Sequence, residues 1–282
     1  MGEERGVRTT GRAAVLGSPI AHSLSPYLHR AAYQAMGLTG WTYEAHECDE
    51  ARLPALLDSA DWAGLSLTMP LKRAVLPLLD TVSDLAVEVG GANTVVFTDG
   101  VRHGDNTDVY GIERALGEAG VPTPGSALVL GAGATAASAL AALRNLGLRT
   151  ATLVARDPAR AGETIEVAER LGVALAVASF DKLEALLEVD LVVSTLPGGA
   201  ADSFAGQLAR VPALLDVVYA PWPTRLAASV EAGGGKVVGG FAMLLHQAVR
   251  QVELMTGRPV VPVEAMRAAG EAEILRRATR TG

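Results

Sequence analysis

Ser23-Leu24-Ser25-Pro26 places two hydroxyls just after an apolar run, Ala13–Leu16, has closed at Gly17–Pro19. A helically spaced run, Tyr27–Met36, follows. Ser25 is the expected N-cap and Pro26 the expected first helical residue. Helix N-termini carry unpaired N–H groups and the positive end of the dipole. Two added hydroxyls make a donor cluster suited to a small carboxylate or phosphate; the plainer alternative is a capped helix with an incidental serine. Leu67-Thr68-Met69-Pro70-Leu71-Lys72 sets a hydroxyl and an ammonium beyond a second apolar strand, which Pro70 breaks. A lysine at a helix start is usually a surface residue, and it opposes the dipole. Gly91-Ala92-Asn93-Thr94 and Gly104-Asp105-Asn106-Thr107-Asp108 are polar clusters. Asn93 and Asn106 could simply hold turns, and Asp108 could cap a helix beginning at Val109. Late in the chain, Asp216–Pro221 ends a strand and carries Tyr219, and Gly239–Gln247 starts a helix. Met243, either core or cofactor packing, can share a face with Gln247.

Gly131-Ala132-Gly133-Ala134-Thr135-Ala136 fits G-x-G-x-x-A between an apolar strand and a helical run. Gly131 allows the tight turn, Gly133 a close backbone approach to a pyrophosphate, and Ala136 close helix–strand packing. The next strand ends Val154-Ala155-Arg156-Asp157-Pro158-Ala159-Arg160. A carboxylate there accepts the ribose hydroxyls of NAD, whereas arginine suits the extra phosphate of NADP. Arg156 and Arg160 could clamp that phosphate; the plainer alternative for both is a solvated helix start. Asp157 is expected to cap a helix opened by Pro158 rather than to hold a ribose.

These sites need a frame. The chain of 282 residues is 49% hydrophobic and poor in aromatics, which suits helices packed on a parallel sheet, and its length suggests two domains. A net charge of −7 argues against nucleic acid as a general partner, so an anionic ligand would need a locally cationic pocket. A single cysteine, Cys48, rules out an internal disulfide framework and a cysteine zinc site, and no metal-ligand spacing is found. The stretch M-G-E-E-R-G-V-R-T-T-G-R lacks an apolar signal core, and no run is apolar enough to span a bilayer. A soluble cytoplasmic protein with no membrane partner is expected.

Strands are predicted at Ala13–Leu16, Trp41–His46, Gly64–Thr68, Thr94–Thr98 and Val101–His103. Helices are predicted at Pro26–Met36, Arg52–Ser59, Lys72–Leu79, Asp84–Val89 and Val109–Ala119. Val121-Pro122-Thr123-Pro124-Gly125 reads as a boundary. Beyond it come strands Ala127–Leu130, Ala151–Val154, Val173–Val177, Leu191–Ser194, Ala213–Val217 and Lys236–Val238, with helices Ala134–Leu146 and Pro158–Leu171. Alternation of this kind, with a Gly turn after the first strand, is a doubly wound nucleotide-binding arrangement. The last helices, Met243–Met255 and Val263–Thr279, are expected to return to the first domain. The fold class is therefore α/β: a discontinuous N-terminal α/β domain (1–108, completed by 243–282) and a Rossmann-type NAD(P)-binding domain (109–242).

Together the motifs resemble the shikimate dehydrogenase family from Gly17 to about Gly257. The resemblance rests on G-S-P-I-A-H-S-L-S-P from Gly17, L-T-M-P-L-K ending at Lys72, G-A-N-T around Asn93, D-N-T-D ending at Asp108, G-A-G-A-T-A from Gly131, and Gly240–Gln247, in the family's order. The chain departs from the family pattern at Ala155 and Asp157, where Asn and Thr are common, at Leu67 for Val and at Ala134 for Gly. The resemblance implies NADPH-dependent reduction of 3-dehydroshikimate to shikimate, in the shikimate pathway of aromatic amino acid biosynthesis, by a monomer or homodimer. It implies that Ser23 and Ser25 bind the substrate carboxylate, that Thr68, Asn93 and Gln247 hold ring hydroxyls, and that Tyr219 lines the substrate–nicotinamide junction. Lys72 and Asp108 are implied as the catalytic pair, and Gly240 and Met243 as positions approaching the nicotinamide. Charge builds on the carbonyl oxygen during ketone reduction, so an ammonium there both stabilises it and supplies a proton. Lys72 is expected in that role, with Asp108 orienting it and a ring hydroxyl. His22 is expected to be structural. Two alternatives remain open: a relative that oxidises quinate or shikimate with NAD, and a non-catalytic dinucleotide-responsive binding protein on the same scaffold.

Overall fold

The computed structural model describes residues 9–59, 61–121 and 123–281. Most of the N-terminal stretch read for a leader, and Pro122 of the boundary segment, lie outside these residues. The chain forms two compact units. One comprises the residues up to Thr107 together with those from Leu245 on, and the other is Asp108–Leu244.

In chain order the first unit opens with β1 (Thr10–Gly17), α1 (Ser25–Ala35), β2 (Gly40–Glu47), α2 (Leu53–Asp58), β3 (Trp62–Leu67), α3 (Leu71–Ala74), β4 (Thr81–Val82), α4 (Asp84–Val89), β5 (Thr94–Thr98) and β6 (Val101–Asp105). The second unit holds α5 (Asp108–Glu118), β7 (Ala127–Leu130), α6 (Ala134–Asn145), β8 (Thr150–Ala155), α7 (Gly162–Leu171), β9 (Ala174–Ser179), β10 (Leu191–Ser194), α8 (Ala205–Leu208), β11 (Ala213–Asp216), α9 (Arg225–Ala232) and β12 (Lys236–Gly239). α10 (Gly240–Thr256) begins in the second unit and ends in the first, which α11 (Val263–Thr281) completes.

The first sheet runs β2-β1-β3-β5-β6-β4. β1 is parallel to β2 and β3, while β5 is antiparallel to β3 and β6. Every residue of β3 is buried, as befits a strand covered on both faces. Leu16, Leu53, Leu65, Leu67, Leu71 and Val95 pack into its core. The second sheet is wholly parallel, in the order β9-β8-β7-β10-β11-β12. Numbered within the unit that order is 3-2-1-4-5-6, with its switch point between β7 and β10, where doubly wound sheets bind ligands beyond the strand carboxyl ends. α6 is buried from Ala136 through Leu143; its small alanines let it lie close on the sheet.

Several elements differ from the sequence reading. The helix expected over Lys72–Leu79 stops at Ala74, and a 3₁₀ turn covers Leu76–Leu78. Pro77 lacks the N–H that a continuing helix needs. Pro158–Ala161 is likewise a 3₁₀ turn, and α7 starts only at Gly162. Asp108 is the first residue of α5 rather than a cap outside it, where its carboxylate suits the dipole. α9 was not expected; Thr224 caps it, Oγ1 accepting the Ala227 N–H at 3.0 Å.

Candidate active site

The paired serines lie between β1 and α1. α1 begins at Ser25, and Leu24 occupies the cap position without a side-chain bond. Ser25 is therefore not the N-cap, and Pro26 is the second helical residue. Ser23 Oγ accepts the Ser25 N–H at 3.2 Å, the first of the amides a helix start leaves without a backbone partner. Ser25 is 4% exposed, and its side chain hydrogen-bonds Tyr43. The loop ahead of it is fastened on two sides. Ser23 N–H closes a turn on Ile20 O at 2.9 Å. At the end of β2, the Glu47 carboxylate accepts from Ser18 Oγ at 2.6 Å and Ile20 N–H at 3.0 Å, bonds that hold its pKa below the ordinary value. From α11, Arg277 donates to the carbonyls of His22 at 2.6 Å and Ser23 at 3.2 Å.

Thr68 stands beside this loop. Ser18 N–H donates to Met69 O, and Thr68 N–H to Leu16 O, both at 2.9 Å. A Cβ on Gly17 would fall 2.3 Å from Thr68 Cγ2, so glycine is what lets the ends of β1 and β3 approach. Lys72, half-buried on α3, accepts at its carbonyl the Ala92 N–H at 2.8 Å. Asn93 follows Ala92 and immediately precedes β5, whose Thr94 faces Ser66 of β3. Ser23, Ser25, Thr68, Lys72 and Asn93 therefore share one edge of the first sheet.

Asn93 is 1% exposed. Its Oδ1 accepts from Thr94 Oγ1 at 2.9 Å and Thr107 N–H at 2.8 Å, and its Nδ2 donates to Thr107 Oγ1 at 3.0 Å and Gln247 Oε1 at 3.3 Å. Gln247 thus joins the same edge from α10. One helical turn on, Gln251 accepts from Ser66 Oγ at 2.8 Å and lies 3.3 Å from His29 Nε2. Its Nε2 donates to Thr94 Oγ1 at 3.0 Å and Asn93 O at 3.2 Å. Ser66 in turn accepts from Tyr43 Oη at 2.7 Å. Burial drives His29 from 6.5 to about 3, against a hydrogen bond to Gln251 Oε1, so the ring is neutral; it stacks on Tyr43 at 3.9 Å. The sequence reading missed Gln251. Its only local signal is the i, i+4 spacing from Gln247 on an otherwise apolar helix face.

The second unit carries the glycine turn. Gly131 has φ +101°, a Cβ there would meet Thr195 Oγ1 at 2.6 Å, and the space over Gly133 is open. Gly133 is the cap of α6 with no side-chain bond to the first turn. Ala132, Ala134 and Thr135 complete the bend at the switch point, and Ala136 is fully buried against the sheet. A tight turn with open space over its second glycine, at a helix N-terminus, is an arrangement that could hold a pyrophosphate. Past β8, Arg156 and Arg160 are exposed. Asp157 Oδ1 accepts the Ala159 N–H at 3.1 Å and caps the 3₁₀ turn, as expected. Asp216, at the end of β11, accepts from Thr224 Oγ1 at 2.7 Å and Val218 N–H at 3.3 Å, bracketing the Tyr219 loop, while burial raises its pKa. A Cβ on Gly240 would lie 2.0 Å from Val217 O. The first turn of α10, with Gly240 and buried Met243, thus sits against the start of the Tyr219 loop. Lys72 belongs to the first unit and Asp108 opens the second. Among the described residues no group of three or more His, Cys, Asp and Glu side chains could hold a metal ion, and no helix is long and apolar enough to cross a membrane.

Residues 15–95 match the family model for the shikimate dehydrogenase substrate binding domain, and residues 240–269 that for the shikimate 5'-dehydrogenase C-terminal domain. The chain is 39% identical to the shikimate dehydrogenase (NADP(+)) of Thermus thermophilus, over 87% of its length and 92% of that protein. The crystal structure of Mycobacterium tuberculosis shikimate dehydrogenase superposes with a TM-score of 0.86 at 46% identity, covering 92% of this chain and 99% of that one. The Thermus thermophilus shikimate 5-dehydrogenase in complex with NADP(H) and shikimate does so with a TM-score of 0.83 at 35% identity, covering 93% and 99%.

Proposed function

The chain belongs to the shikimate dehydrogenase family and is an NADP-dependent oxidoreductase of the 3-dehydroshikimate/shikimate step, and we propose that Lys72 and Asp108 are its catalytic pair. Bound NADPH supplies the hydride. Lys72 donates the proton to the carbonyl oxygen and stabilises the charge that builds there. Asp108 orients Lys72 and a ring hydroxyl.

The observation that carries this reading is the shared edge of the first sheet, where Ser23, Ser25, Thr68, Lys72, Asn93 and Gln247 gather. Ser23 and Ser25 bind the carboxylate as hydroxyl donors. Asn93 and Gln247 hold ring hydroxyls with amides whose orientation is already chosen. Gln247 turns its Oε1 to Asn93, which fixes the orientation of its amide. Thr68 contributes a third polar contact, and Tyr219 lines the reacting end. The unit holding these residues is the substrate-binding domain, and Asp108–Leu244 the dinucleotide-binding domain. Gly131–Ala136 receive the pyrophosphate, Arg156 and Arg160 the 2′-phosphate, and Gly240 and Met243 the nicotinamide side. Engagement of Asp157 as a cap supports the NADP preference, since it withdraws the one carboxylate placed for a ribose. A net charge of −7 supports a small-molecule partner rather than nucleic acid. The enzyme is read as cytoplasmic, without a membrane partner, and as a monomer or homodimer.

The test is oxidation of NADPH with 3-dehydroshikimate, repeated with NADH and, in reverse, with quinate and NAD. Faster turnover with NADPH and 3-dehydroshikimate supports the reading. Preference for quinate with NAD replaces the substrate assignment, and cofactor binding without turnover replaces the enzyme assignment.

A further inference from the structure

We propose that Arg277 is the positioning residue of the serine loop, and that the Glu273–Arg276–Arg277 cluster on α11 is the cationic base beneath the substrate carboxylate. The inference rests on the proposed reading of Ser23 and Ser25. Arg277 spreads its fork over two successive carbonyls, Nη1 on His22 at 2.6 Å and Nη2 on Ser23 at 3.2 Å, while its Nε donates to Glu273 Oε1 at 2.6 Å. Its guanidinium also lies over the Tyr27 ring at 5.6 Å. Each of its three nitrogens therefore has a fixed direction, which a planar guanidinium provides and a lysine does not. A trans peptide points its C=O and N–H in opposite directions. Holding Ser23 O toward α11 therefore turns the Leu24 N–H away from it, in the segment between the two hydroxyls.

Charge points the same way. Glu273 is 4% exposed and takes Arg276 on its other face, with Nε to Oε2 at 2.6 Å and Nη2 to Oε1 at 2.7 Å. One carboxylate between two guanidiniums leaves a net charge of +1 on the α11 side of the loop, opposite the Glu47 carboxylate that holds its other side. That is the local cation an anionic substrate needs on a protein of net charge −7.

The experiment compares Arg277→Met, Arg277→Lys, Ser23→Ala, Ser25→Ala and the Ser23→Ala/Arg277→Met double variant in the full chain. Loss of the fork should raise KM for 3-dehydroshikimate roughly tenfold while kcat and KM for NADPH stay within about twofold, with Arg277→Lys intermediate. If Arg277 acts through the loop, its effect shrinks to about twofold once Ser23 is alanine. A lowered melting temperature with unchanged KM in Arg277→Met, or additive effects in the double variant, overturns the proposal. Should Arg277→Met not fold, Arg277→Lys decides it alone: a KM rise of about threefold supports it and wild-type KM overturns it. If Ser23→Ala and Ser25→Ala both leave KM unchanged, the reading of the serines falls and this proposal with it. If they raise KM and the Arg277 variants do not, only this proposal falls.

Discussion

Ser66 Oγ donates to the side-chain carbonyl of Gln251 at 2.8 Å, joining the central strand of the first sheet to α10. The same amide is held by Thr94, the Asn93 carbonyl and His29. Buried polar networks stabilise only when every member is satisfied. Gln251→Leu leaves several buried partners unmatched and should cost about 1–3 kcal/mol in urea unfolding. It should also raise KM for 3-dehydroshikimate, because Asn93 loses its support, with KM for NADPH unchanged.

Lys72→Ala removes the proposed acid and the charge facing the carbonyl oxygen. Turnover should fall roughly a hundredfold or more, with the melting temperature little changed for a half-buried side chain. Steady-state kinetics on the folded variant measures this, and near-normal kcat removes Lys72 from the chemistry.

Ser23→Ala and Ser25→Ala should each raise KM for 3-dehydroshikimate more than they lower kcat, since a carboxylate contact acts on ground and transition states alike. Ser25→Ala should also lower the melting temperature, because Ser25 is buried against Tyr43. Ser23 is half-buried and its variant should change stability less.

Arg156→Ala should weaken NADPH more than NADH, as expected of a guanidinium meant for a 2′-phosphate. Equal losses for the two cofactors, measured by binding as well as turnover, return Arg156 to a surface role.

Stability should depend on pH through His29. Its folded-state pKa, about 3, lies below the ordinary 6.5. The unfolded chain therefore takes up a proton first as pH falls. The contribution is fully present above about 6.5 and is lost as pH falls toward 3, at a slope of up to about 1.4 kcal/mol per pH unit. Urea unfolding across this range should show a shallower slope in His29→Gln. At lower pH Glu273 adds to the loss. Arg276 holds its carboxyl down to about 2 from 4.5, so its contribution fades as pH drops through that interval.

Much of the frame was legible because it is local. Strand Leu191–Ser194 and helix Asp84–Val89 match the predicted bounds, since each is an uninterrupted apolar or periodic run flanked by turn residues. Asp157, expected as a cap beside Pro158, is one. Two of the helices that differ carry a proline where they do. Pro77 and Pro158 stand at points where apolar spacing continues but the backbone hydrogen bonding does not. Ser25 has the type and place of a cap, but the helix starts one residue earlier, with Leu24 in the cap position, and Ser25 turns inward to buried Tyr43.

By itself the sequence determined the two kinds of chemistry on offer, a hydroxyl-and-amine set and a glycine bend at a helix start, because each is written within a few adjacent residues. Tertiary structure alone decided what holds the first set in place. Gln251 meets Ser66 across 185 positions and Arg277 meets His22 across 255. Pairings at such separation arise from which helix packs on which sheet edge, and no local periodicity encodes that choice.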